Sequence, residues 1–356
     1  MKFKRLLPSL GPWLNSVKCK LVNFDIKPAK PIVEELFKQV DSSLDAGKYK
    51  QAIQPLKKII AINNRHNYAL YALGYVYQIL GELDAAYTVI KRGIKFHPND
   101  HKFYELLGIV QGLRGKLRSG ADAYQRALSL QPDLVVSNYL IHGMRGINLP
   151  IASREYIIEV FNDYADYFEK NLVEELRYCA HQKLVAYLRS FWHIETLNLV
   201  LDLGCGTGLL GQELSANFKI KRLIGVDLAE RMLAESQKKN IYSQLVQADV
   251  IDYLRLNQEK FDLLAATDVF VYIGDLRPVF MYAFKSIRAG GYFGFSVESM
   301  SRGQYKLYAS GRYKHSLAYI TALSHEFGFS EIHSQPIDLR KESGNIVAGY
   351  LVLLQK

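Results

Sequence analysis

The most constraining stretch of this chain runs from Asn198 to Gly208. A largely apolar hexapeptide, Asn198-Leu-Val-Leu-Asp-Leu203, passes directly into Gly204-Cys-Gly-Thr-Gly208 and then into a helical pattern through Leu214. A short apolar run bounded by glycines reads as a buried parallel strand. Glycines carry no Cβ and tolerate positive φ, so the backbone can approach a ligand there, and the following helix start presents free N–H groups. The expected unit is therefore strand, glycine turn, helix, with a ligand against the turn. Its spacing departs from a nicotinamide fingerprint, which favours GxGxxG, because here Asp202 stands two residues before a GxGxG run.

Further acids follow at the ends of further predicted strands. Leu223-Ile-Gly-Val-Asp227 is a second apolar run ending in an acid 19 residues beyond Gly208, where a carboxylate is placed to bind both hydroxyls of a ribose. Gln247-Ala-Asp249 closes a third short strand and Phe261 to Thr267 forms a fourth, followed by Asp268-Val-Phe-Val-Tyr272. Gly290 to Val297 reads as a fifth strand, about Ser316 to Phe327 as a helix, and Val347 to Leu354 as a last strand, with Gly344-Asn345 as a tight turn before it. Each acid taken singly also suits a helix N-cap or a solvated loop. Taken together they recur at strand end after strand end, and this favours ligand binding.

The first half carries an internal repeat. Gly47, Gly81 and Gly115 share one phase of a 34-residue grid, Gly74 and Gly108 a second, and Pro98 and Pro132 a third. Ala52, Ala86 and Gly120 supply small residues for close helix crossings, while Leu56, Ile90 and Tyr124 share a larger apolar position. The pattern resembles the tetratricopeptide repeat, with three units over roughly 33 to 132 and residues 133 to 146 as a capping helix. Val40 and Asn64 stand where the first unit would carry its glycine and proline. The resemblance implies a concave groove for a protein or peptide; the plainer alternative is a spacer or a dimerising element. A break at Gly146-Ile-Asn-Leu-Pro150 ends the grid. The expected organisation is a basic arm over 1–30, an all-α repeat domain over 31–148 and a second domain over 149–356.

The strand-end series resembles class I S-adenosylmethionine-dependent methyltransferases. Within them, Leu201 to Val297 together with Ser310 to Ser316 looks like a bacterial group of tetratricopeptide-containing methyltransferases. Members are often labelled as similar to trans-aconitate or biotin-pathway enzymes; repeats and methyltransferase domain together cover about nine-tenths of the chain. The resemblance implies an α/β fold with a Rossmann-like, seven-stranded, doubly wound sheet, and S-adenosylmethionine as cofactor. It places Asp202, Gly204, Cys205, Gly206, Gly208, Asp227, Leu228, Asp249, Val250 and Asp268 at that cofactor, with Asp249 accepting from the adenine amino group. Cys205 offers a nucleophile in principle; the resemblance makes it a backbone contact. Phe161, Tyr164, Tyr167 and Phe168 cluster on a preceding helical stretch and read first as a core stripe. Members with small substrates place such a helix over the cofactor, which makes Tyr164 and Tyr167 contacts.

Methyl transfer from a sulfonium is an in-line displacement, so the protein mainly positions the acceptor atom. An oxygen or amine acceptor calls for a base or an anion-binding cation. The candidates are Tyr272 and His315 for proton handling, Arg312 and Tyr313 for acceptor binding, and Glu298 after the fifth strand. His315 read blandly is a polar residue at a helix start. No metal-ligand spacing occurs.

The acceptor is expected to be a small molecule or a protein. The alternative function is a cofactor-holding scaffold without turnover. Nucleic acid is not expected as a partner: of the net charge of +10, residues 1–30 hold +6, with seven Lys or Arg against Asp25, leaving +4 for the rest. Apolar runs such as Val269 to Ile273 fall far short of the ~20 residues of a membrane span. Pro8, Gly11 and Pro12 interrupt what would be the apolar part of a secretory signal. Cys19, Cys179 and Cys205 show no paired spacing. These features lead to the expectation of a cytoplasmic protein.

Overall fold

The computed structural model of the chain describes residues 31–169, 178–342 and 345–356. The basic arm over 1–30 and Gly344 of the expected tight turn lie outside the described residues. Two compact units emerge, one ending at Ile147 and one beginning at Asn148.

The first unit is all helical: α1 (Pro31–Asp45), α2 (Tyr49–Ile62), α3 (Asn67–Ile79), α4 (Leu83–Phe96), α5 (His101–Leu113), α6 (Leu117–Leu130) and α7 (Val135–Arg145). Helices α1 to α6 pair into three repeats, and α7 packs on α6 as the cap. The glycine phases acquire physical meaning here. Gly47, Gly81 and Gly115 have φ of +67°, +74° and +74°, a left-handed conformation that ends each first helix and turns the chain into the second. Gly74 and Gly108 mark close approaches: a Cβ on Gly74 would lie 2.9 Å from Ile90, and one on Gly108 2.7 Å from the Tyr124 ring. The small and large phases of the grid are therefore contact partners.

The second unit is a twisted sheet with helices on both faces. Its strands are β1 (Thr196–Leu203), β2 (Lys219–Asp227), β3 (Gln244–Gln247), β4 (Phe261–Ala266), β5 (Ile287–Met300), β6 (Tyr305–Leu307), β7 (Tyr313–Ser316), β8 (Glu331–Glu342) and β9 (Asn345–Gln355). Strands β3-β2-β1-β4-β5 are parallel neighbours. The β4 run Phe-Asp-Leu-Leu-Ala-Ala is buried throughout, as a strand covered on both faces must be. The far edge of β5 is divided. Tyr292 to Glu298 pair antiparallel with β9, which carries β8 on its other side, whereas Ser299 and Met300 pair with β7 of the short β6–β7 hairpin. The seven-stranded sheet is thus extended by a two-stranded ribbon at the end of β5.

Alternating side chains segregate into two cores. Leu197, Val200, Leu263 and Leu353 face α9 (Ala180–Phe191) and α10 (Leu209–Asn217). Leu199, Leu201, Leu264 and Phe293 face α12 (Val250–Leu256), α13 (Arg277–Ser286) and α14 (Leu317–Phe327). The remaining helices, α8 (Arg154–Tyr164) and α11 (Glu230–Lys238), meet in a small cluster of Tyr164, Ala165, Ala229 and Met232. Among the described residues no helix is long and apolar enough to cross a membrane.

Repeat packing gives a direct test. A Cβ on Gly93 of α4 would fall 2.1 Å from the Phe103 ring of the next repeat. Gly93→Ala is expected to destabilise the repeat unit by about 1–3 kcal/mol, the usual cost of overpacking. Urea denaturation followed by circular dichroism measures it, and an unshifted midpoint would contradict this packing.

Candidate cofactor and acceptor site

The site is built at the ends of β1, β2, β4 and β5. Gly204, Gly206 and Gly208 all adopt positive φ, +63°, +54° and +88°, so the turn can be followed by few other residues. The Gly204 and Gly206 sides of this turn differ. A Cβ on Gly204 would lie 2.5 Å from Val269, which closes that side against the segment after β4, whereas one on Gly206 would meet only the Phe168 ring, at 4.0 Å. Gly206 is therefore the open side. Its N–H donates to Asp227 Oδ2 at 2.9 Å, and the N–H of Ala229 donates to Oδ1 of the same carboxylate at 2.8 Å. Asp227 at the end of β2 thereby holds the turn after β1, while burial pushes its pKa up.

Asp202 works from behind. Its Oδ2 accepts from the Tyr242 hydroxyl at 2.7 Å, and the Tyr242 ring lies where side chains on Gly208, Gly211 or Gly225 would have to go. Tyr242 is thus a pin joining the turn, the start of α10 and β2. Sequence reasoning missed it; Gly211 and Gly225, small residues facing a shared neighbour, were the signal. Burial raises Asp202 to about 7, against the hydrogen bond from Tyr242. Cys205 donates its N–H to the Val226 carbonyl at 3.0 Å, and burial pushes its thiol well up, so it remains protonated at neutral pH.

Asp249 caps α12, its Oδ1 accepting from the N–H groups of Ile251 and Asp252 at 2.9 and 3.1 Å. Its Oδ2 lies 3.6 Å from Arg154 Nε, and Val250 beside it is buried. Leu228 is half-buried, and its carbonyl accepts from Gln247. Tyr164 is buried against Ala229 and Met232, with Phe168 at 5.3 Å, while Phe161 meets the Tyr272 ring at 5.4 Å. The aromatic face of α8 thus reaches both the β2 end and the β4 end; the side chain of Tyr167 lies outside the described residues.

Beyond β4 and β5 the site is charged. Asp268 is a non-glycine residue at φ +57°, its N–H donating to Ser296 Oγ at 3.0 Å and its Oδ2 accepting from Arg340 at 3.0 Å. Arg340, with no side-chain exposure, also bonds Glu298, which lies 3.5 Å from Arg312 and 3.7 Å from Lys314. Arg340 was not foreseen from sequence. The pairing of β8 with β9 skips a residue between Asp338 and Arg340, so Leu339 and Arg340 are both buried. This bulge re-aims the arginine inward.

The candidate acceptor residues fall unevenly. Tyr272 is half-buried in a 3-10 turn, Phe270–Tyr272, whereas Tyr313 is fully buried on β7. His315 sits in β7, not at the start of α14, and is fully enclosed. Its Nε2 bonds the Ile273 and Gly274 carbonyls at 3.0 and 3.1 Å, and burial lowers its pKa to about 4. A neutral ring with Nε2–H donating to backbone makes it a latch between the hairpin and the post-β4 turn. Among the described residues no His, Cys, Asp and Glu group could hold a metal.

The raised Asp202 predicts a pH dependence. An ordinary aspartate titrates near ~3.9, so the folded state holds this proton more tightly, and the stability it contributes below that value is lost as pH rises towards 7. Asp202→Asn should flatten the stability difference between pH ~5 and ~8 by on the order of 2 kcal/mol. Urea midpoints at the two pH values measure it, and a slope equal to that of the parent would contradict the assignment.

Comparison with known proteins supplies an independent view. Residues 200–291 match a family model described as a methyltransferase domain, and residues 43–108 one described as a tetratricopeptide repeat. The malonyl-[acyl-carrier protein] O-methyltransferase of Bacillus cereus is 31% identical over 99 residues, 28% of this chain and 36% of that protein. The ubiquinone biosynthesis O-methyltransferase of Hydrogenovibrio crunogenus is 24% identical over 129 residues, 35% of this chain and 52% of that protein. The chain thus spans between about a third and a half of the curated relatives it matches. Among solved structures, a magnesium protoporphyrin IX methyltransferase from Synechocystis PCC 6803 aligns at 18% identity and TM-score 0.45, over 57% of this chain and 97% of that one. A stretch matching the tetratricopeptide repeat is thus followed in the same chain by one matching a methyltransferase domain.

Proposed function

We propose that residues 149–356 transfer a methyl group from S-adenosylmethionine to an oxygen of a small molecule or a protein, and that residues 31–148 dock a protein partner. The observation that carries the first reading is the open side of Gly206, set in a turn of left-handed glycines and held by Asp227. The cofactor's methionine portion would lie along Gly204 to Gly208. Asp227 would take the ribose hydroxyls on lone pairs left by its two backbone bonds, with Leu228 beside it. Asp249 and Val250 would face the adenine, and Tyr164 and Asp268 would close the pocket. Asp202 contributes through Tyr242 by holding the turn.

The bound cofactor supplies an electrophilic methyl on a sulfonium. The chain's task is to hold the acceptor oxygen in line with it and keep water out. Tyr272 is the half-exposed phenol at the β4 end, and Arg312 brings a cation to the β5 end, where Glu298 already engages it. Both are proposed to orient the acceptor. Tyr313 supports them from beneath, and His315 holds the hairpin instead of moving a proton. Relatives named as O-methyltransferases support an oxygen as the accepting atom.

Equilibrium binding of S-adenosylmethionine tests the reading. The parent is expected to bind in the micromolar range, and Asp227→Ala, which removes charge-assisted hydrogen bonds, to bind about 10–100-fold more weakly. Absence of binding by the parent would overturn the proposal. Binding without transfer of labelled methyl to any component of a cell extract would leave a cofactor-holding scaffold.

A further inference from the structure

We propose that the repeat unit carries a docking slot for an acidic segment with apolar anchors, placed between second helices of successive repeats. It is a cleft of about 480 Å³ between α2 and α4, floored by α3. Ile60, Leu70, Leu73 and Val89 make its interior apolar, and no acidic residue lines it. Lys57 and Arg92 stand on its two rims.

The rims belong to a wider cationic surface. Helix α2 contains Lys50, Lys57 and Lys58 and no acid, and the last half of α4 adds Lys91, Arg92 and Lys95. Arg65 lies in the loop between α2 and α3. Aromatic faces lie against three of these cations: Lys57 sits 5.9 Å from the Tyr77 ring, and Arg65 and Arg92 flank Phe96 at 5.3 and 5.9 Å. Arg92 also donates to the Asn64 carbonyl at 3.0 Å. Among the described residues none of Lys57, Lys58, Arg65, Lys91, Arg92 and Lys95 pairs with a carboxylate. The one acid of α4, Asp84, is taken by Arg114 at 2.8 Å.

Like charges gathered around an apolar cleft cost stability through mutual repulsion, and a partner of opposite charge relieves that cost. The chain's own first 30 residues carry seven Lys or Arg against one Asp, the same sign of charge as this surface. A nucleic acid would need exposed rings for stacking. Here Tyr77 is buried and Phe96 already lies between two arginines, so the slot offers aliphatic walls. A helix or strand presenting leucine-like anchors among carboxylates fits both features. The inference names a face and a partner chemistry for the docking role proposed above. A partner held instead by the first helices would leave that role intact and this slot unused.

The test uses the full chain and a fluorescein-labelled peptide with leucines spaced among glutamates, followed by fluorescence anisotropy. Saturable binding is expected, weakening as salt rises and at least about tenfold weaker in Lys57→Glu/Arg92→Glu. Both residues are exposed, so an unchanged circular dichroism spectrum is expected for that variant. The leucine-to-serine peptide should bind more weakly than the parent peptide, which a merely electrostatic surface would not require. No binding, equal binding by the serine peptide, or equal binding by the double variant would overturn the proposal. Displacement by a single-stranded oligonucleotide at lower concentration than the unlabelled peptide would overturn it in favour of nucleic acid.

Discussion

One hydrogen bond, from the N–H of Gly206 to Asp227, organises the second unit. It ties the turn after β1 to the end of the neighbouring strand β2. A turn of left-handed glycines has high conformational entropy when unfolded and needs such an anchor to hold a single shape. The second anchor is Tyr242, which fills the space behind Gly208, Gly211 and Gly225 and bonds Asp202. With its back filled and one edge tied, the turn keeps only the Gly206 side open. Two carboxylates with raised proton affinity, the buried Asp202 and the half-buried Asp227, are the consequence, and the unit trades stability above neutrality for a fixed cradle.

The other strand ends are arranged by charge. A fully buried arginine is costly unless paired, and Arg340 meets both Asp268 and Glu298. Its position depends on backbone geometry: the β8 bulge turns it inward, and Gly349 on β9 makes room, since a Cβ there would lie 2.4 Å from Leu339. Asp268 is held in a left-handed conformation that costs a non-glycine residue on the order of 1 kcal/mol. Backbone strain and buried charge thus coincide at the ends of β4 and β5, next to Val269, which closes the glycine turn.

Much of this was legible in the sequence because it depends on local chemistry. Glycines 204, 206 and 208, the acids closing β2 and preceding α12, and the 34-residue repeat each follow from what a short segment must do. The 34-residue spacing of Gly74 and Gly108 was visible in the sequence, whereas their packing against Ile90 and Tyr124 was not. What escaped was non-local. Arg340 reads as one more charged residue until a bulge turns it inward, and Tyr242 is a loop residue until three glycines converge on it. The β6–β7 hairpin has strands of three and four residues, too short to show periodicity, so His315 read as a helix start and not as a buried latch.

The cradle around Gly206 and the strand-end acids are proposed to form one ligand site. Hydrogen–deuterium exchange on the full chain, with and without S-adenosylhomocysteine, addresses it directly. Slowed exchange is expected, confined to the backbone around 204–208, 227–229 and 249–252, with the repeat helices unchanged. Protection elsewhere with these segments unaffected, or no protection at saturating ligand, would contradict it.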